Sequence, residues 1–212
     1  FLGWYYGSAL SGNNKPCYRP KIVIGKDTRR SSYMLEYALC SGIIASGGDA
    51  YILHVTTTPS VSYVVRTEGF DCGIMITASH NPLYDNGIKV INRYGEKFDD
   101  NATALIEKYI DGDLEGLGIK SDDLPLAKRE EVGAIVDFVS GRNRYVGYLI
   151  SLASHSYKHL KIGLDCANGA SWNIARSVFE ALGAKVYIIN NQPDGLNINT
   201  NCGSTHIDTL KK

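Results

Sequence analysis

A short apolar run, a helical stretch and a second short apolar run occur twice in this chain, and that alternation limits the fold more than anything else in it. Residues 21–25 (KIVIG) read as a buried strand. After a polar turn at residues 26–30, Ser31 or Ser32 is available as the N-cap of a helix in which Leu35, Leu39 and Ile43 recur every fourth residue, until Gly47-Gly48 ends it. Residues 50–55 (AYILHV) return as a strand, which completes a βαβ unit. The later copy has a strand at 160–165 (LKIGLD), a turn at 166–169, a helix over 171–182 closed by Gly183, and a returning strand at 185–189 (KVYII). Ile24-Gly25-Lys26-Asp27 and Ile162-Gly163-Leu164-Asp165 occupy equivalent places, which predicts two α/β domains of related plan.

Between the copies, Thr58-Pro59-Ser60 opens a helix with Val61, Val64 and Val65 on its apolar side, and residues 73–77 (GIMIT) form a third strand. Residues 87–92 (GIKVIN) alternate as a strand, and residues 100–110 read as a helix. Residues 111–128, rich in Gly, Asp, Lys and Pro, look like a linker, and helical periodicity resumes near Glu130 and runs through Tyr145, Leu149 and Leu152. The fold class expected is α/β, with two related three-layer α/β/α domains and mixed sheets. Residues 1–120 form the first, nearly complete; 121–140 are linker and the start of a connecting helix; 141–212 form the second, truncated.

Composition removes several function classes. Lys plus Arg and Asp plus Glu are 22 each, so there is no net basic field for a nucleic acid. No apolar run approaches the roughly 18–20 residues that span a bilayer, and no basic leader with an apolar stretch appears; a soluble, cytoplasmic protein is expected, without membrane or nucleic-acid partners. The chain opens on Phe1 and not on Met, so the expectation is that further sequence precedes it. Five cysteines (Cys17, Cys40, Cys72, Cys166 and Cys202), without a Cys-x-x-Cys, argue for reduced thiols. The pairs His155/His159 and Cys202/His206 each lack the further ligands a metal site needs.

The segment that carries chemistry runs from Thr77 to Lys89, TASHNPLYDNGIK, and leaves the carboxyl end of an apolar strand, where open α/β sheets collect ligands. Pro82 restrains Asn81, and Asn86-Gly87 is a turn pair, so the loop is bent at both ends and Ser79 is exposed on it. His80 and Lys89 add positive charge or donors. Such a loop is also a common polar connection. Esterase chemistry has little support, because no Gly-x-Ser-x-Gly elbow is present and His80 adjoins the serine. A phosphoryl acceptor fits better, since phosphoryl transfer needs positioning and charge neutralisation more than a strong nucleophile.

Thr77-Ala78-Ser79-His80-Asn81-Pro82, followed by Asn86-Gly87-Ile88-Lys89, resembles the phosphoserine loop of the α-D-phosphohexomutases, and Gly25-Lys26-Asp27-Thr28-Arg29 resembles their Gly-x-Asp-Thr-Arg segment. Asp165-Cys166-Ala167-Asn168-Gly169-Ala170, Gly195-Leu196-Asn197-Ile198-Asn199 and Cys202-Gly203-Ser204-Thr205 are similar to the phosphoglucosamine mutase branch. The resemblance runs from about residue 7 to the end. It implies a phosphorylated Ser79 that donates its phosphoryl group to a sugar phosphate and recovers another from a bisphosphorylated intermediate. It also implies His80 beside the reacting hydroxyl, and Lys89 as general acid or base, a role that asks for a lowered lysine pKa. Asp27 and Arg29 would buttress the loop, and Arg29 and Asn81 would bind substrate.

The reaction implied is interconversion of glucosamine 6-phosphate and glucosamine 1-phosphate, feeding UDP-N-acetylglucosamine synthesis. Its requirements would be Mg2+, phosphorylation of Ser79 and a hexose bisphosphate activator; the partner is a small-molecule sugar phosphate, with a homodimer left open. A phosphomannomutase or phosphoglucomutase, or a non-catalytic sugar-phosphate-binding module, is the alternative. Two family motifs are missing. Phe1-Leu2-Gly3-Trp4 does not match the Gly-Thr-Asp-Gly-x-Arg-Gly start, and Asp111-Gly112-Asp113 lacks the third aspartate and the arginine of the magnesium loop Asp-Gly-Asp-x-Asp-Arg. Of that metal site the chain would supply only Ser79, through its phosphate, and residues 1–212 alone are expected to be inactive. The magnesium loop is expected within the next ~30–40 positions, about one βαβ unit.

Overall fold

A computed structural model describes residues 1–10, 18–119, 124 and 126–211, for 8–10 the backbone alone. Cys17, Lys212 and residues 120–123 and 125 of the expected linker lie outside the described residues. In the first unit, β1 (Lys21–Lys26), β2 (Asp49–Val55), β3 (Cys72–Ile76), β4 (Ile88–Asn92) and β5 (Ile135–Asp137) form one sheet in the order β4-β3-β1-β2-β5. β3, β1, β2 and β5 are parallel, and β4 runs antiparallel to β3 at one edge. The helices are α1 (Leu2–Leu10), α2 (Arg30–Ala45), α3 (Thr58–Glu68) and α4 (Asp100–Ile110).

Successive strand residues point to opposite faces, and both faces are covered. Ile22, Ile24, Ile74 and Ile76 pack with Cys40 and Ile43 of α2. Val23, Leu53 and Met75 pack on the other side with Val61, Val64 and Val65 of α3. Two-sided burial is why KIVIG and GIMIT read as unbroken apolar runs and not as alternating ones. Each fully buried Val, Ile or Leu contributes about 1.5–3 kcal/mol. α3 lies so close to β1 that a Cβ at Gly25 would stand 2.6 Å from a Val61 methyl and 2.8 Å from that of Thr56.

In the second unit, β6 (Lys161–Asp165) and β7 (Lys185–Ile189) pair in parallel, joined by α6 (Ala175–Ala181). α5 (Val139–Ser151) connects the units: Tyr145 packs with Ile174 and Val178, and Tyr148 stacks on Tyr63 of α3 with centroids 4.5 Å apart. α7 is the four-residue Asp208–Lys211.

The structure differs from the sequence expectations in four places. α1 is a helix with no polar-apolar periodicity to announce it. The stretch read as helical from Glu130 contains β5, because β2 presents an unpaired edge that it satisfies: Ala50 N–H donates to Ala134 O at 2.9 Å, and Phe138 N–H to Ile52 O at 2.8 Å. α6 begins later than expected, because the chain just before it is spent in turns, with Trp172 N–H donating to Gly169 O and Ile174 N–H to Ser171 O, both at 3.1 Å. Ser31 and Ser32 lie inside the first turn of α2 and do not cap it.

Candidate active site

The connections leaving β1 and entering β3 use opposite faces of the sheet, α2 on one and α3 on the other, so the chain order reverses between these adjacent strands. The crevice beyond the carboxyl ends at such a reversal is where open α/β sheets place ligands. Here the turn after β1 and the loop after β3 meet, joined by Asp27 N–H to Ile76 O at 3.0 Å.

The polar turn is buried. Asp27 Oδ1 accepts from Arg29 N–H and from Ser32 Oγ, both at 3.0 Å, while Oδ2 accepts from Thr77 Oγ at 2.8 Å and from the Arg29 guanidinium. Neither partner of this ion pair reaches solvent, with side-chain exposures of 2% and 0%. The other end of the guanidinium, Nη2, donates to Asn81 O at 2.6 Å and more weakly to Pro82 O (3.3 Å) and Ser79 O (3.5 Å). Thr77 Oγ also accepts from Ser79 N–H at 3.0 Å. A second buried pair, Lys26 with Glu36, stands beside it, the ammonium 3.5 Å from the Tyr33 ring centroid.

Ser79 has φ 56°, a left-handed conformation that costs a non-glycine residue on the order of 1 kcal/mol and persists only where neighbours hold it. Its backbone is anchored, yet Ser79, His80 and Asn81 are exposed. The far side of the loop is fixed too. Thr77 N–H donates to Gly87 O at 2.8 Å, and Asn86 Nδ2 donates to Ser31 Oγ (2.9 Å) and Ser32 Oγ (3.1 Å). The second unit closes the third side: Asn199 Nδ2 donates to Ser79 O and Asn81 O, each at 2.9 Å. Thr28 Oγ donates to Asn168 O at 2.6 Å, and Arg30 N–H to Gly195 O at 3.0 Å.

Ser79 and His80 therefore lie together on the exposed turn. Lys89 lies beyond the loop on β4, exposed and opposite Met75. Arg29, expected to touch substrate, is buried, with Nη1 donating to Asp27 and Nη2 to loop carbonyls; it holds the loop from within, the buttressing role. Asn81 turns its side chain to Asp85 (3.1 Å) and its carbonyl inward. Sequence reasoning missed Thr77, Ser32 and Asn199 as loop-holding groups. Asn199 stood inside a segment already singled out, but nothing local to it indicated a contact with Ser79. Among the described residues no three His, Cys, Asp or Glu side chains gather as a metal site, and no helix is long and apolar enough to cross a membrane.

The family model for the phosphoglucomutase/phosphomannomutase α/β/α domain I matches residues 2–116. A protein named phosphoglucosamine mutase from Lachnospira eligens is 61% identical over 211 residues, covering 100% of this chain and 44% of its own length. One of the same name from Lachnoclostridium phytofermentans is 57% identical, again over 100% of this chain and 44% of its own. The chain thus spans less than half the length of these curated relatives. Among solved structures, a phosphoglucomutase/phosphomannomutase family protein from Burkholderia thailandensis superposes with TM-score 0.71 at 21% identity, over 99% of this chain and 44% of that one. Parafusin, a phosphoglucomutase from Paramecium in an open form, gives 0.61 at 18%, over 92% and 40%. At such identities the two structures speak to the fold alone.

Proposed function

Because the chain belongs to the phosphoglucomutase/phosphomannomutase family, we propose that Ser79 is its phosphoryl carrier and that the intact protein interconverts glucosamine 6-phosphate and glucosamine 1-phosphate. The choice of amino sugar is supported by the two relatives above, which carry that activity in their names. The observation that carries the reading is an exposed serine on a loop whose backbone is held from three sides, by Thr77 and Asn199 at the serine itself and by Arg29 chiefly at Asn81 O. Phosphoryl transfer is governed by placement and charge, and this arrangement supplies placement.

In the forward half-reaction the P–O bond to Ser79 Oγ breaks as a bond forms to the sugar's 1-hydroxyl, whose proton passes to a basic side chain. His80 and Lys89 are the residues we assign to that proton. In the return half-reaction the 6-phosphoryl group of the bisphosphorylated sugar moves to Ser79 Oγ, and a proton returns to the 6-oxygen. A hexose bisphosphate would charge the serine at the start. Of the oxygens a magnesium ion requires, this chain offers the Ser79 phosphoryl group, and its described residues do not complete the set of about six. No step is therefore derived through the ion. A hexosamine 1-phosphate is what nucleotidyl transfer toward UDP-N-acetylglucosamine consumes, which supports a cytoplasmic setting.

The test is intact-mass measurement of the full-length protein after incubation with glucose 1,6-bisphosphate: one phosphoryl group on Ser79 is expected, and none in Ser79→Ala. Turnover with glucosamine, mannose and glucose 6-phosphates then separates the branches. Unimpaired turnover by Ser79→Ala would overturn the proposal.

A further inference from the structure

The segment Gly195–Asn199 takes no part in the reaction as described, yet it reaches the backbone of the reactive loop. Asn199 Nδ2 lies 2.9 Å from the carbonyl oxygens of both Ser79 and Asn81, on a chain segment 120 residues from the serine. We propose that Asn199 is a positioning residue for phosphoryl transfer at Ser79, so that the serine is aimed only while the second unit is docked on the first. This rests on the reading of Ser79 as the phosphoryl carrier.

Two backbone angles set the direction of a serine's Cα–Cβ bond, and so the arc of staggered positions open to its hydroxyl. The bond from Ser79 N–H to Thr77 Oγ, at 3.0 Å, restrains rotation on the amino side of the residue. The bond from Asn199 to Ser79 O restrains rotation on the carbonyl side; Arg29 contributes there only at 3.5 Å. With both sides held, the left-handed φ of 56° and the direction of the Cα–Cβ bond are fixed together. The amide is itself placed by the second unit. Asn199 has φ 59°, a conformation asparagine tolerates, and its N–H donates to Ala167 O at 2.9 Å. The neighbouring Asn168 O accepts from Thr28, and Gly195 O from Arg30 N–H. Gly195 has φ 88°, and a Cβ there would stand 3.4 Å from Arg30 Cβ, so the approach is suited to glycine. Hydrogen bonds from Thr28 and Arg30, around the start of α2, thus tie down the two stretches of the second unit, Ala167–Asn168 and Gly195–Asn199, that set the amide on the serine.

The experiment uses the full-length protein. Asn199→Gly keeps the left-handed backbone and deletes the amide; Asn199→Asp keeps the shape and turns an acceptor toward two carbonyl oxygens. With glucosamine 6-phosphate, kcat should fall by roughly ten- to a hundredfold in the glycine variant, the scale of a misplaced reacting group, and further in the aspartate variant, with KM nearly unchanged. Single-turnover charging of Ser79 by glucose 1,6-bisphosphate, expressed per folded molecule from near-UV circular dichroism, should fall in proportion. If the unaltered protein is never charged, the carrier reading fails. If it is charged and both variants are charged equally fast, or if only KM changes, this inference fails alone.

Discussion

Replacing Arg29 by methionine isolates the buried support of the loop. Arg29 is fully buried and its carboxylate partner nearly so, which means that water cannot replace the lost guanidinium. Removing one member of such a pair typically costs about 3–5 kcal/mol, because the other charge is left desolvated. Asp27 would keep three neutral donors, Arg29 N–H, Ser32 Oγ and Thr77 Oγ. That places the expected cost near the lower end, about 3 kcal/mol. The loop would also lose its donor to Asn81 O, the shortest of the Nη2 contacts at 2.6 Å. In Asp27→Asn/Arg29→Met the stranded charge is gone, and the double-mutant cycle should return a coupling of about 1–3 kcal/mol. Urea unfolding followed by circular dichroism, with the slope of stability against urea unchanged, is the assay. A loss below about 1 kcal/mol for Arg29→Met, or strictly additive costs, would refute the claim that this pair is desolvated and mutually dependent.

The remaining predictions concern packing and alkaline pH. Gly25→Ala should lower stability by about 1–3 kcal/mol by forcing α3 off β1; Val61→Ala in the same chain should recover part of the loss, read as a thermal midpoint. Burial pushes the Cys72 thiol up from the ordinary 9.0 to about 12 and that of Cys40 to about 11. Above about pH 9 the unfolded chain releases these protons while the folded chain retains them, so stability should fall with rising pH, by up to about 1.4 kcal/mol per pH unit for each group. Below that pH both states hold the protons and no such loss occurs. Cys72→Ala should give a shallower decline of the urea midpoint between about pH 9 and about pH 11, and an unchanged decline would refute this account.

The parts of the fold legible in the sequence were those with strong local signals. The runs at β1, β2 and β3 stand out because burial on both faces demands continuous apolar residues, and α2 and α3 show helical spacing followed by glycine. β5 was hidden because a three-residue edge strand is specified by the strand it joins. The turn at residues 26–30 is polar throughout, and nothing local marks it as buried. Yet Lys26, Asp27, Thr28 and Arg29 are all buried, each with a partner drawn from another element. Ser32 offered a plausible cap, but its hydroxyl is taken by the Asp27 carboxylate. In the site, Ser79 and its exposure followed from the bent loop. The support given by Asn199 did not, since a hydrogen bond between residues so far apart in the chain leaves no periodicity to read.

The inward-turned carbonyls also polarise the loop. In a trans peptide the N–H points opposite to the C=O. With the oxygens of Ser79 and Pro82 directed at Arg29, the N–H groups of His80 and Leu83 are directed away from it. The negative ends of these dipoles are thus neutralised inside the protein, and the positive ends are left on the other side. Backbone amides grouped in this way favour a nearby anion without any added side chain. The phosphoryl group proposed for Ser79 would carry about two negative charges, and whatever part of it lay on that side of the loop would meet the positive ends of these dipoles.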